Sequence, residues 1–219
     1  RANLKKTTMG GTIAYSTDCT IENSTIMNNS HGGLFLTQTE NILIDDNRIW
    51  NNGYYLYSQV GGMLLQYADR TNITRNIIYN NSRNGIEFHY SDDCLVYNNW
   101  ISNNTRYGIR LHSGTGNRIF GNAIGWNEEG NAVDAGQNNQ WDNEIDLGNW
   151  WSNYDGTGAY EIEGPAGSKD NYPMELLEPS VEIPIGPEPD YILIGAIAAV
   201  VTVAVLGVLV VLLRRKGKI

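Results

Sequence analysis

The sequence predicts an all-β fold, a parallel β-helix of about six rungs, joined to one transmembrane α-helix at the C-terminus. Three observations predict it. A short motif returns at a fixed interval: NGIEFH at 84–89 and YGIRLH at 107–112 lie 23 residues apart. Asparagine is abundant, with 27 in 219 residues against 3 Phe. Asn tolerates positive φ and bonds to its own backbone, so such a chain turns often. Finally, residues 191–213, YILIGAIAAVVTVAVLGVLVVLL, carry no charge.

The hexapeptides belong to a longer repeat. Copies start at Gly10, Gly32, Gly61, Asn84 and Tyr107, with Gly11, Gly33, Gly62, Gly85 and Gly108 in one column at spacings of 22, 29, 23 and 23. A period of this size marks a solenoid. Helical repeats conflict with the period-2 apolar patterning and with so many Gly and Asn. Leucine-rich repeats need a fixed leucine scaffold, which these copies lack. Three short strands per copy, joined by polar corners, describe one rung, and stacking places equal positions about 4.8 Å apart. Asn47, Asn76, Asn99 and Asn122 each follow a column glycine by 14 residues. They are expected to form a ladder whose amides bond from rung to rung and satisfy buried corner groups. The 29-residue interval predicts a looped-out insertion near 53–60.

The chain divides into an ectodomain at 1–173, a stalk at 174–190, a membrane helix at 191–213 and a basic tail at 214–219. The stalk, MELLEPSVEIPIGPEPD, holds four prolines and five carboxylates, a composition for extended chain; a short edge strand through 181–185 is the alternative. The uncharged run spans about 34 Å as a helix, enough for a bilayer core of about 30 Å. A buried core helix is the competing reading, and RRKGK directly after the run argues against it. Positive residues stay inside, so the expectation is a single-pass cell-membrane protein with the ectodomain outside and the C-terminus cytoplasmic. The net charge is −9, and without the four basic tail residues 11 Lys and Arg face 24 Asp and Glu. Nucleic acid is therefore not expected as a partner. No charged-then-apolar signal segment follows Arg1, so any export signal is expected to lie upstream.

The closing motifs are NAVDAGQNNQWDN at 131–143, GNWWSNYDG at 148–156 and DNYPM at 170–174. They resemble the terminal segment of NosD-like proteins, the right-handed parallel β-helix family also described as carbohydrate-binding and sugar-hydrolase modules. The resemblance covers roughly residues 10–174. It implies the right hand of the solenoid, a surface protein of membrane-anchored archaeal type, and polysaccharide or cell-envelope proteins as partners. Trp141, Trp150, Trp151 and Tyr154 are expected to plug the open end, since an uncapped rung is a sticky edge. Relatives often carry an acidic, glycine-rich loop suited to calcium. Here the stretch is DGTGAYEIEG at 155–164, and calcium is not carried over. Copper prefers clustered His, Met and Cys, whereas 3 His, 4 Met and 2 Cys are scattered here. No cofactor and no metal site are expected.

Strand alternation points Glu87, His89, Arg110 and His112 outward, with Gln66 and Thr37 continuing the His column. Two readings of this face stay open: a sugar-binding groove with a weak metal site, or a solvated sheet face with compatible cross-strand pairs. NGIEFHYSDD at 84–93 also resembles the YG-x-D-P-H motif of β-helical alginate epimerases, with Glu87 in place of aspartate and Phe88 in place of proline. That likeness implies His89 as base, Arg110 on a uronate carboxylate and Tyr90 as acid. Hydrolases of this fold need several aspartates in one cleft. The pairs at Asp45 and Asp46 and at Asp92 and Asp93 face opposite ways in a strand, so no catalytic residue is assigned. Cys19 and Cys94, about three rungs apart, are too distant for a disulfide and are read as small turn residues at the position of Asn41, Asn72 or Asn117. Sequons lie at Asn23, Asn28, Asn72, Asn80 and Asn103, where a glycan competes with a ladder role. The leading expectation is a non-enzymatic surface protein that binds polysaccharide or envelope partners. The alternatives are a polysaccharide lyase, hydrolase or uronate epimerase, and a structural envelope spacer.

Overall fold

The computed structural model describes residues 2–175. The expected membrane helix and basic tail, and the stalk beyond residue 175, lie outside the described residues. Among the described residues no helix is long and apolar enough to cross a membrane.

The chain winds as a right-handed parallel β-helix with three sheets. The seven-stranded sheet contains Asn3–Lys5, Thr25–Met27, Arg48–Trp50, Ile77–Tyr79, Trp100–Ser102, Ala123–Gly125 and Trp150–Trp151. The six-stranded sheet contains Met9–Ala14, Gly32–Glu40, Met63–Asp69, Ile86–His89, Tyr107–Leu111 and Gly130–Asp134. The five-stranded sheet contains Thr20–Glu22, Leu43–Asp45, Asn72–Thr74, Leu95–Tyr97 and Arg118–Phe120. Each strand pairs in parallel with the equivalent strand of the next rung. The expected insertion at 53–60 is a loop without strands, leaving the rung on either side intact.

Like side chains stack inside. Ile26, Ile49, Ile78, Ile101 and Ile124 form one fully buried column, and Ile44, Ile73, Val96 and Ile119 form another. Each such side chain contributes roughly 1.5–3 kcal/mol by leaving water. A third inward column, Leu36, Leu65, Phe88 and Leu111, lies beneath the six-stranded sheet.

The corners explain the asparagines. An outward residue with positive φ is followed by an inward residue that bonds to the next rung. Asn28, Asn80 and Asn103 have φ of 56°, 53° and 54° and face outward, while Asn29, Asn81 and Asn104 are fully buried. The inward set runs as a ladder from Asn29 through Asn52, Asn81 and Asn104 to Asn127, each Nδ2 donating to the next Oδ1 at 2.9–3.1 Å. The second ladder contains Asn47, Asn76, Asn99 and Asn122, with successive Nδ2 to Oδ1 contacts of 3.0 Å. It starts at Ser24, whose N–H donates to Asn47 Oδ1.

Ser24 also corrects the register of the first copy. Gly11 pairs with Leu34, so Gly10, not Gly11, stands in the column of Gly33, Gly62, Gly85 and Gly108. With Gly10 the first spacing becomes 23, and Ser24 falls at the ladder position. The cysteine position also shifts. Cys94 shares its column with Thr71 and Asn117, not with Asn41 or Asn72, as the pairing of the following residues Asn72, Leu95 and Arg118 requires. Both cysteines are free, and burial pushes the Cys94 thiol up to about 12, which makes it a poor nucleophile at neutral pH.

The open end is closed by Trp141 and Trp151, both buried, with Tyr160 stacked on Trp151 at 4.2 Å. Trp150 does not join the plug. Its neighbour Trp151 faces inward, so alternation turns Trp150 to the outer surface. The ladder that begins at Asn47 continues from Asn122 to Asn149 at 2.9 Å and terminates on Asp170, whose Oδ2 accepts from Asn149 N at 2.6 Å and Trp151 Nε1 at 2.9 Å. Burial is the largest influence on this carboxyl and raises its pKa above the usual carboxylate range, against the pull of those bonds. The folded protein therefore holds this proton more tightly than the unfolded chain. Its contribution is full below the ordinary Asp value and is lost as pH rises through the raised one. Thermal melts of the wild type and Asp170→Asn across pH 3–8 should show the wild type losing ground relative to the variant as pH rises. A wild type that gains relative to the variant would reverse the sign.

Candidate functional site

The outer surface of the six-stranded sheet gathers the residues singled out in the sequence. Gln66 and His89 pair in register, as do Glu87 and Arg110, and Leu64 continues the Glu87 column. His112 follows Leu111, so it stands beside His89, and the two rings stack at 4.6 Å with an angle of 18°. Glu87 ties the group together. Its Oε1 lies 2.9 Å from His89 Nε2, and its Oε2 accepts from Asn84 Nδ2 at 2.7 Å. A carboxylate only accepts, so Nε2 of His89 is the donor, which leaves Nδ1 bearing the lone pair of the neutral ring. Arg110 is next to Glu87 in register, while the Glu87 oxygens bond to His89 and Asn84. The face thus combines a stacked imidazole pair, an oriented carboxylate and a guanidinium.

A second column runs beside it. Tyr15, Gln38, Tyr67 and Tyr90 each bend the chain one residue after the register column of Ala14, Thr37, Gln66 and His89, with φ of 52°, 52°, 52° and 51°; Gln38 and Tyr67 do so within the longer strands Gly32–Glu40 and Met63–Asp69. Residues other than Gly, Asn and Asp seldom adopt this conformation, and each costs about 1 kcal/mol or more. Tyr67 and Tyr90 stack at 5.2 Å and 9°, and are 48% and 54% exposed. The tyrosine column is the main surface feature beyond the sequence expectation. Its signal lies in the residue immediately after the outward His and Gln positions, Tyr90 after His89 and Tyr67 after Gln66.

The seven-stranded sheet carries another aromatic group. Trp100, Trp126 and Trp150 meet with centroids 5.3–6.4 Å apart. Trp126, with φ of 55°, takes a corner position filled by Asn in the rungs before it.

The sequon asparagines all lie on the outer side. Asn23, Asn72 and Asn103 are exposed, and Asn28 and Asn80 are half-buried. None of them is a rung of either inward ladder, so the competition between glycan and ladder does not arise at these positions.

A family described as "Periplasmic copper-binding protein (NosD)" matches residues 1–156. No curated protein sequence matches the chain. A mutant of the periplasmic alginate epimerase AlgG is similar in structure, with a TM-score of 0.58 at 18% identity over 79% of this chain and 49% of that one. The A-module of the Azotobacter vinelandii mannuronan C-5 epimerase AlgE4 has a TM-score of 0.56 at 20% identity over 81% of this chain and 57% of that one. The chain spans about half the length of these solved structures, and identities this low speak for the fold alone. Copper does not fit the residues present. No group of three or more His, Cys, Asp or Glu is placed to hold a metal ion among the described residues. The near-parallel His89 and His112 rings keep their lone pairs in separate planes, whereas two ligands must converge on one ion. The family match covers well over half of the sequence, and the chain belongs to the NosD family.

Proposed function

We propose that this protein binds polysaccharide along the outer surface of its six-stranded sheet, without catalysing a reaction. The observation that carries the reading is the pair of adjacent stacks, His89 on His112 and Tyr67 on Tyr90. Each stack covers the faces between its rings and leaves its outer faces and edges to the apolar C–H side of a pyranose, while Gln66, Glu87 and Arg110 meet its hydroxyls. The rung spacing of about 4.8 Å is on the scale of one sugar ring, so an extended polymer can engage successive rungs. The same proposal places the 191–213 segment in a membrane, with the solenoid outside as in a periplasmic or surface protein. Titration calorimetry on the full chain in mild detergent, against neutral and acidic polysaccharides, tests it. Replacing His89 and Arg110 together by alanine should weaken binding about tenfold or more. Unchanged affinity in that variant would remove the reading.

A second reading is a polysaccharide-modifying enzyme, in particular a uronate epimerase. The hydrogen bond between Glu87 and His89 favours it, since an oriented imidazole suits proton abstraction beside a uronate carboxylate held by Arg110. The likeness in fold to alginate epimerases points the same way. Proton NMR of polymannuronate incubated with the protein decides: new guluronate signals support the enzyme, and an unchanged spectrum excludes this reaction.

A further inference from the structure

At the N-terminal end of the tyrosine column the surface opens into a cleft of about 370 Å³. Tyr15 and Tyr67 flank it and Gln38 lies between them, two rungs spanning about 9.6 Å along the axis. Tyr90 covers Tyr67 from the following rung, so Tyr67 meets the cleft with its other face. Glu40 and Asp69, paired in register, line the cleft, and no basic side chain lines it. Arg70 forms an ion pair with Glu40 from beside the cleft. Asp69 uses Oδ1 to accept from Asp92 N, and among the described residues Oδ2 has no partner. Thr39 also lines the cleft. It is 4% exposed, and its hydroxyl finds no hydrogen-bond partner among the described residues. Thr39 pairs with the fully buried Ala68 and belongs to the inner side, so the polar groups that meet solvent in the cleft include those of Gln38, Glu40 and Asp69.

We propose that this cleft is a subsite for an unacetylated hexosamine, a pyranose carrying a protonated primary amine. Tyr15 and Tyr67 stack on the two sides of the ring, Gln38 bonds to ring hydroxyls, and the ammonium sits against Asp69 and Glu40. Charge selects the ligand. The uncompensated Asp69 carboxylate, beside a Glu40 shared with Arg70, disfavours an acidic sugar and discriminates an amine from its neutral acetamide, while the aromatic walls favour a cation carried on an apolar frame. The inference rests on the polysaccharide reading above and adds a sugar class at a place distinct from the His89 and His112 stack.

The test uses the full chain in mild detergent, titrated with a glucosamine tetramer, its N-acetylated counterpart and a tetralysine peptide. The expected result is binding of the glucosamine tetramer about tenfold or more tighter than either of the others. Asp69→Asn and Tyr15→Ala should each weaken it severalfold with unchanged melting temperature, while Trp126→Ala on the far seven-stranded sheet keeps it. Equal binding of the acetylated sugar, equal binding of tetralysine, or indifference to both cleft variants overturns the subsite. The two readings fail separately. Loss of glucosamine binding alone leaves polysaccharide recognition at the histidines, and retention of it in a protein that ignores other polysaccharides leaves the cleft alone.

Discussion

Asn99→Ala lowers the stability of the solenoid by about 4 kcal/mol, as several buried partners lose their bonds at once. Asn99 Oδ1 accepts from both N and Nδ2 of Asn76, and its Nδ2 donates to the Ile73 and Tyr97 carbonyls and to Asn122 Oδ1. Alanine provides none of these, and the Asn76 N–H has no water to turn to, because both residues are at most 2% exposed. The neighbouring Asn98, outward at φ of 56°, supplies the control. Asn98→Gly keeps the corner conformation accessible and should change stability by less than about 0.5 kcal/mol. Urea unfolding of both variants checks the pair. A solenoid is coupled only through neighbouring rungs, so the Asn99 variant should also unfold over a broader range as its two halves separate. Equal stability of the two variants would mean that the ladder is incidental.

Gly33→Ala costs about 3 kcal/mol through overpacking. A Cβ there would lie 2.2 Å from the Gly62 carbonyl oxygen and 2.8 Å from Ile49 Cγ2. The carbonyl cannot retreat, since the Leu34 N–H is bonded to it at 2.9 Å. The same column gives an internal comparison in the first copy. At Gly10 the added carbon meets the Gly33 carbonyl oxygen at 2.5 Å, whereas at Gly11 it meets only the flexible Leu34 Cδ2 at 2.9 Å. Gly10→Ala should therefore lower the melting temperature far more than Gly11→Ala. The reverse order would restore the register that the sequence alone suggests.

That register shows where the sequence is legible and where it is not. The copies from Gly33 onward are unambiguous, because the glycine and the asparagine 14 residues later are both fixed. The first copy offers a Gly10 and Gly11 doublet, and a one-residue shift exchanges inside for outside. Doublets hide structure elsewhere too. In the Asn pairs at 28–29, 80–81 and 103–104, one residue is a corner and the other a ladder rung, so the ladder from Asn29 to Asn127 stays invisible until φ is known. Trp150 and Trp151 repeat the problem at the cap, where only the second is inside. Glu87, His89, Arg110 and His112 were readable as one face from alternation alone. The tyrosine column was not, since Gln38 interrupts it and strand alternation assigns no outward direction to residues that bend the chain at positive φ. Asp170 as the ladder's end depends on a chain reversal, the hairpin of Tyr160–Glu161 with Lys169–Asp170, that no repeat pattern announces.

The functional account stands on which surface meets the polymer, and hydroxyl-radical footprinting of the full chain with bound polysaccharide reads that surface directly. Tyr, His and Trp side chains all report in this experiment, and both aromatic surfaces are accessible in the free protein. Recognition by the six-stranded sheet predicts protection of Tyr67, Tyr90, His89 and His112, with Trp126 oxidised as fast as without ligand. Protection centred on Trp100, Trp126 and Trp150, with the tyrosines and histidines unchanged, would contradict it and move recognition to the seven-stranded sheet.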